Sequence, residues 1–300
     1  MFLTTTSADS SLRDFYDERY KTDYMLTGPK FEEFRVRAVL SRIPRDVRSV
    51  LDYGCGQGGK IGLLREMFPN SEIFGVDISG NAVRKASKRF PQHQFVLFDG
   101  RVAPFPDRSF DLVFSWHVLE HVWNLEETVQ DMSRLVRNGT YLCAILPCGN
   151  PGSVEEKVMR LVNGEESSKS REMRWIYEDE GHLRRIRSEE LIRVFEKNGL
   201  SLLDESYALQ SWDGVFHICS FAPDYVNRMF SIRRGNTNGD KIRIAVLKCI
   251  FLFGSLLFAL SSVAHMDTVF YRISVKEWTR HNKEKNGSEQ SLVFQKAEGV

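Results

Sequence analysis

The stretch Val50-Leu51-Asp52-Tyr53-Gly54-Cys55-Gly56-Gln57-Gly58-Gly59 limits what this chain can fold into more than any other. It reads as a short buried strand that runs into a glycine-rich turn and then a helix over Lys60–Met67, ended by Phe68-Pro69-Asn70. Such a turn needs positive φ angles, and a side chain there would hold a ligand away from the backbone. The helix start offers unpaired N–H groups. A strand, a glycine turn and a helix in that order cradle a small nucleotide-like ligand. Asp52, two residues before the first glycine, adds that part of the ligand carries positive charge.

Two ligand classes compete for this turn. Gly54, Gly56 and Gly59 satisfy G-x-G-x-x-G, and Asp77 lies at about the distance that suits a ribose hydroxyl. That pattern suits a dinucleotide such as NAD. A pyrophosphate on a helix N-terminus, however, wants N–H donors and no carboxylate beside it. S-adenosylmethionine has no phosphate and carries a sulfonium and an ammonium, so Asp52 favours it. Gln94–Gly100 reads as a further strand ending in Asp99, an acid suited to an adenine amino group.

Strands expected near 49–54, 72–77, 94–99, 110–116 and 140–147 alternate with helices near 57–68, 80–90 and 124–137. That alternation predicts a parallel sheet covered on both faces, with its ligand at the carboxyl ends of the strands. Phe110-Asp111-Leu112-Val113-Phe114-Ser115-Trp116-His117-Val118-Leu119-Glu120-His121-Val122 completes a set of four motifs in order. Here the chain resembles the class I S-adenosylmethionine-dependent methyltransferases, in their small-molecule branch. The resemblance runs from Val50 to Leu203, with a last strand at Ser291–Lys296.

The resemblance implies an α/β, Rossmann-like doubly wound sheet, mostly parallel with an antiparallel last strand, plus a helical insertion. It implies that Asp52, Gly54 and Gly56 line the methionine end of the cofactor. Asp77 takes the ribose hydroxyls and Ile78 packs on the adenine, which Phe98 and Asp99 hold. Ser115, Trp116 and His117 close the pocket. Cys55 belongs to the same turn as a small filler, not a nucleophile. Where the family often has Pro-Gly-Gly before its fifth strand, this chain has Arg137-Asn138-Gly139-Thr140, which still makes a tight turn.

Acceptor chemistry draws on histidines, since an oxygen acceptor gains from a base that titrates near neutral pH. His117 is the one nearest the cofactor. His182, in Gly181-His182-Leu183-Arg184 and followed by a helix capped at Ser188, is the leading acceptor-side candidate. His121 reads as a packed residue at a helix start. Some quinone methyltransferases hold a metal on E-x-x-E-H; here the first acid is His117, and no metal is expected.

Outside the core, residues 1–48 are expected to form a helical lid, with Tyr16, Tyr20 and Tyr24 on one face and Asp14 as its cap. Packing on the sheet edge is the equal alternative. The methyltransferase core is expected over 49–207, with an acceptor-side region at 149–187. A helical insertion is expected over 208–289, and the last strand and tail over 290–300. Within the insertion, Cys249–Ala264 carries no charge and is short for a membrane span of about 20 residues. Arg228, Arg233, Arg234 and Arg243 precede it, and Arg272, Lys276 and Arg280 follow. A single crossing would strand the last core strand on the wrong side. The segment therefore lies in a membrane interface or covers the acceptor pocket, with a buried subdomain helix as the plain alternative.

Composition bounds the rest. A net charge of +1 argues against nucleic acid as a partner. Five cysteines without paired spacing point to reduced thiols, and Met1–Ser10 lacks a signal-peptide pattern. The expected protein is a cytoplasmic enzyme with membrane-surface contact through 241–280, acting on a small-molecule or lipid-linked acceptor. The alternatives are an NAD-linked oxidoreductase and a non-catalytic methyltransferase-like binding module.

Overall fold

The computed structural model describes residues 7–22, 30–163, 181–210, 213–215, 245–246, 248–254, 256 and 267–298. Tyr24, the loop at Gly164–Ser170 and much of the charge-free segment lie outside that set. The chain divides into two compact units. One comprises Met1–Leu146, Glu189–Glu205 and Ser291–Val300, and the other Pro147–Ser188 and Ser206–Gln290.

Seven strands form one sheet in the order β3-β2-β1-β4-β5-β7-β6, mostly parallel with antiparallel last strands. They are β1 Ser49–Tyr53, β2 Glu72–Asp77, β3 Gln94–Leu97, β4 Phe110–Trp116, β5 Val136–Pro147, β6 Leu200–Ala208 and β7 Glu289–Lys296. β1 pairs in parallel with β2 on one side and β4 on the other, through Val50↔Ile73 and Val50↔Leu112. A strand covered on both faces reads as a continuous apolar run, and Val50, Leu51, Leu112, Val113 and Phe114 are all inaccessible to solvent. β1 and β4 are sequence-distant neighbours. Strand order reverses between them, so a crevice opens at their carboxyl ends.

Among the described residues, the helices with defined bounds are α1 Ser7–Arg19, α2 Lys30–Leu40, α3 Ile61–Met67, α4 Gly80–Arg89, α5 Leu125–Leu135, α6 Val154–Asn163, α7 Ser188–Lys197 and α8 Asp267–His281. Ser79 caps α4 by accepting from the Ala82 N–H, and Asn124 caps α5 by accepting from the Glu127 N–H at 3.2 Å. No side chain caps α3, which leaves its first turn to the glycine loop.

Four local expectations shift. Asp14 lies inside α1, not at its cap, because the helix starts at Ser7. β3 stops at Leu97, so Phe98 and Asp99 follow the strand. Arg137–Thr140 is no turn before the fifth strand. β5 already begins at Val136, and Gly139, with φ +78, takes up a register irregularity within it. Arg137 is held there by Asp111 at 2.6 Å. Finally, His121 sits in a tight turn closed by its N–H on the Val118 carbonyl, not at a helix start.

In the second unit, Arg185 and Glu155 form a buried ion pair at 2.8 Å. Ile186 bridges to Cys148. Ser188 opens α7 with its N–H on the Asn150 side-chain oxygen at 3.1 Å. That capping oxygen therefore comes from Asn150.

Candidate active site

The first unit gathers the candidate residues at the carboxyl ends of β1, β2 and β4. The glycine turn is pinned from below: the N–H groups of Gly54 and Cys55 both donate to the Val76 carbonyl, at 2.8 and 2.9 Å. Gly54 has φ +79, and a Cβ built on it would lie 2.3 Å from Val118. Gly56 has φ +52, and a Cβ there would lie 2.6 Å from the Tyr20 hydroxyl. Both glycines are therefore required by conformation and by space.

Asp77 ends β2 and holds this turn. Its Oδ2 accepts from the Gly56 N–H at 2.8 Å and its Oδ1 from the Ser79 N–H at 2.9 Å. Burial pushes its carboxyl up to about 6, against the pull of those two N–H groups. Asp52, at the end of β1, is also buried. Burial first and the charge of Asp77 second push it up to about 7, and Lys60 opposes them. Cys55 is buried with its thiol pushed well up by burial, so it is not a thiolate nucleophile.

Lys60 does not add free positive charge here. It forms an ion pair with Glu32 and lies 3.6 Å from the centre of the Trp116 ring. Phe98 is buried edge-on against Tyr53 at 5.4 Å. Tyr53 donates to Asp131 at 2.9 Å, and Asp131 also accepts from the Ala103 N–H at 3.0 Å. That network holds the segment after β3. Asp99 is exposed and accepts from the Arg101 N–H at 3.0 Å. Ile78 is half-buried and Ser115 buried at the end of β4.

His117 follows β4 with φ +53, an uncommon conformation for a side chain with a Cβ. Its N–H donates to the Ile145 carbonyl at 2.8 Å, and its Nδ1 lies 3.0 Å from the buried Glu120 carboxylate. Glu120 is 3.7 Å from His121 Nε2, and His121 Nδ1 is 2.7 Å from the Tyr16 hydroxyl. A chain of groups thus runs from Tyr16 on α1 through His121 and Glu120 to His117. His182 belongs to the second unit, next to the buried Gly181.

α1 docks on this site. Asp17 Oδ1 accepts from the Ser79 hydroxyl at 2.5 Å and the Asn81 N–H at 3.1 Å, and Asn81 Nδ2 donates to the Asp17 carbonyl at 2.8 Å. A carboxylate at the start of α4 also complements the helix dipole. Burial raises the Asp17 carboxyl, but the hydrogen bonds and Arg84 outweigh it and hold it below its ordinary value. We expect Tyr16→Phe to keep the fold and cost about 1 kcal/mol in a denaturant titration, the size of one ordinary hydrogen bond. A change within error would show that the contact to His121 contributes nothing to docking.

Nothing in the local sequence marks Glu32 or Asp17, because each meets its partner, Lys60 or Ser79, from a distant element.

A family model described as a methyltransferase domain matches residues 29–205, more than half of the chain. The chain belongs to that methyltransferase family. The cofactor that goes with it is S-adenosylmethionine, and the site fits it: Asp52 and Asp77 are buried at the strand ends and Lys60 is paired with Glu32. Trans-aconitate 2-methyltransferase of Azoarcus sp. is 33% identical over 139 residues, covering 45% of this chain and 54% of that protein. A probable S-adenosylmethionine-dependent methyltransferase of Mycobacterium tuberculosis is 24% identical over 142 residues, 47% of this chain and 46% of its own length. The chain thus spans about half the length of these curated relatives. Among solved structures, geranyl diphosphate C-methyltransferase from Streptomyces coelicolor A3(2) superposes with a TM-score of 0.52 at 13% identity, over 98% of both chains. The cyclase SpnF gives 0.51 at 15% identity, over 88% of this chain and 82% of that one. Those two likenesses establish the fold alone.

Proposed function

We propose that this methyltransferase-family chain transfers a methyl group from S-adenosylmethionine to a small or lipid-linked acceptor by in-line displacement. One observation carries the reading: Asp52 and Asp77 are both buried at adjacent strand ends around the glycine turn. A cationic, phosphate-free cofactor relieves the cost of ionising them, whereas a pyrophosphate would raise it. The NAD-linked alternative is weakened on the same ground.

The bound cofactor supplies an electrophilic methyl on its sulfonium. The protein's part is to align the acceptor, exclude water and receive a proton. Asp52, Gly54, Cys55 and Gly56 form the methionine end in this reading. Asp77, Ile78, Phe98 and Asp99 take the ribose and adenine, and Ser115 and Trp116 close the pocket. His117 is the base candidate: Glu120 orients its ring through Nδ1, so Nε2 is the atom that takes the acceptor's proton as the acceptor–methyl bond forms. His182 is proposed as a second acceptor-side group. α1 serves as the lid, and the cytoplasmic face of a membrane is the place proposed for the enzyme, with contact through 241–280.

Calorimetry with S-adenosylhomocysteine and NADH tests the cofactor. We expect the first to bind at least tenfold more tightly, and an NADH preference would sink the reading. Labelled S-adenosylmethionine offered with fractionated cell extract tests the acceptor. Label in the lipid phase supports a lipid-linked acceptor, and label only in the aqueous phase assigns a small soluble one. Transfer that Asp77→Ala abolishes would exclude a non-catalytic module.

A further inference from the structure

We infer that the second unit docks on an anionic membrane surface through one exposed apolar helix face. This deepens the membrane contact proposed above and is independent of methyl transfer. Residues 245–246, 248–254 and 256 are helical. Their exposed members are Ala245, Val246, Cys249, Ile250, Phe253 and Leu256. At 100° per residue these six fall within one arc of about 140°, and none is charged or carries a strong hydrogen-bonding group. Phe253 is 61% exposed, while Phe251, on the opposite side, is 6% exposed and anchors the helix. An exposed face made wholly of apolar residues marks an interaction site.

The occupant follows from charge and from the apolar face. Among the described residues no helix is long and apolar enough to cross a membrane. A helix of this kind lies in the interface plane. Further along the chain, α8 exposes Thr268, Val269, Arg272, Ile273, Lys276, Thr279 and Arg280, a face with three cations and no acid. Those three cations form no ion pair among the described residues. Basic residues next to exposed apolar ones complement anionic headgroups. A symmetric dimer through the same unit would instead bring the same cationic face to both partners.

The test is co-sedimentation of the full chain with vesicles of phosphatidylcholine alone and of phosphatidylcholine with phosphatidylserine. We expect at least tenfold tighter binding to the mixed vesicles, weakening as salt is raised. Ile250→Asp and Phe253→Asp should each weaken it at least tenfold. Arg272→Glu with Lys276→Glu should weaken it more than twentyfold, at about fivefold per cation lost. S-adenosylhomocysteine calorimetry on each variant checks the first unit. Loss of that binding in wild type, with vesicle binding kept, would overturn the methyl-transfer reading and leave this one standing. Absence of vesicle binding, or binding unchanged in both aspartate variants, overturns it. A concentration-dependent dimer that Phe253→Asp dissolves, without vesicle binding, assigns the face to a second copy instead.

Discussion

Asp52→Asn should make the ligand-free protein more stable at pH 8 and a poorer binder of its cofactor. The folded carboxyl is pushed up to about 7, chiefly by burial and then by the charge of Asp77. An unfolded aspartate titrates near 3.9. Between those values the folded state holds a proton that the unfolded state has released. Stability therefore falls as pH rises through that window and levels off above about 7. A rise of that size corresponds to about 4 kcal/mol at pH 8, shared with Asp77 because the two carboxylates repel. The amide keeps the shape and never ionises. We expect the variant's melting temperature to exceed wild type by roughly 5–10 °C at pH 8, with the difference shrinking towards pH 4. Cofactor affinity should fall at least tenfold. In wild type it should rise with pH up to about 7 and then flatten; in the variant it should be flat. Comparing S-adenosylmethionine with its uncharged-sulfur product shows which positive group Asp52 faces. A variant less stable than wild type at pH 8, with unchanged affinity for both, would remove Asp52 from the site.

Asp77→Ala should abolish cofactor binding for a different reason. Both Asp77 oxygens are used, by the N–H groups of Gly56 and Ser79. Removing them strands two buried donors at about 1–3 kcal/mol each. The same change relieves the burial that pushes Asp77 up to about 6. At pH 8 these effects are of similar size, so stability should change little. At pH 5 the wild-type carboxyl is mostly protonated, the relief is smaller, and the variant should be the less stable protein. The glycine turn loses its tie at either pH, so affinity should drop at least a hundredfold with circular dichroism unchanged at pH 8. Binding within threefold of wild type would show that the turn holds its shape without this acid. Asp77→Asn should not reproduce the stabilisation of Asp52→Asn, because an amide offers one acceptor where two donors wait.

Much of the core was readable because its signals are local. Val50–Gly59 forced a strand, a turn and a helix through residue types alone, and Asp77 announced itself as an acid at a strand end. The elements that went astray did so at boundaries. Asn138-Gly139 can close a turn or absorb a register slip, and only pairing with β4 chose the second. Asp14 is an acceptable cap wherever a helix begins, and the start at Ser7 placed it inside. Of the three tyrosines expected on one helical face, Tyr16 lies in α1, Tyr20 follows its end at Arg19, and Tyr24 lies outside the described residues.

By itself the sequence determined the strand–helix alternation, the glycine turn and an acid at the end of the strand before it, because each follows from residue types within a few positions. The tertiary structure decided the pairing of Lys60 with Glu32, the docking of Asp17 on Ser79, and the line from Tyr16 through His121 and Glu120 to His117. Those contacts join residues that folding alone brings together. It also decided that Asp52 and Asp77 are both buried, and burial is what turns two ordinary acids into a pair that is costly to ionise.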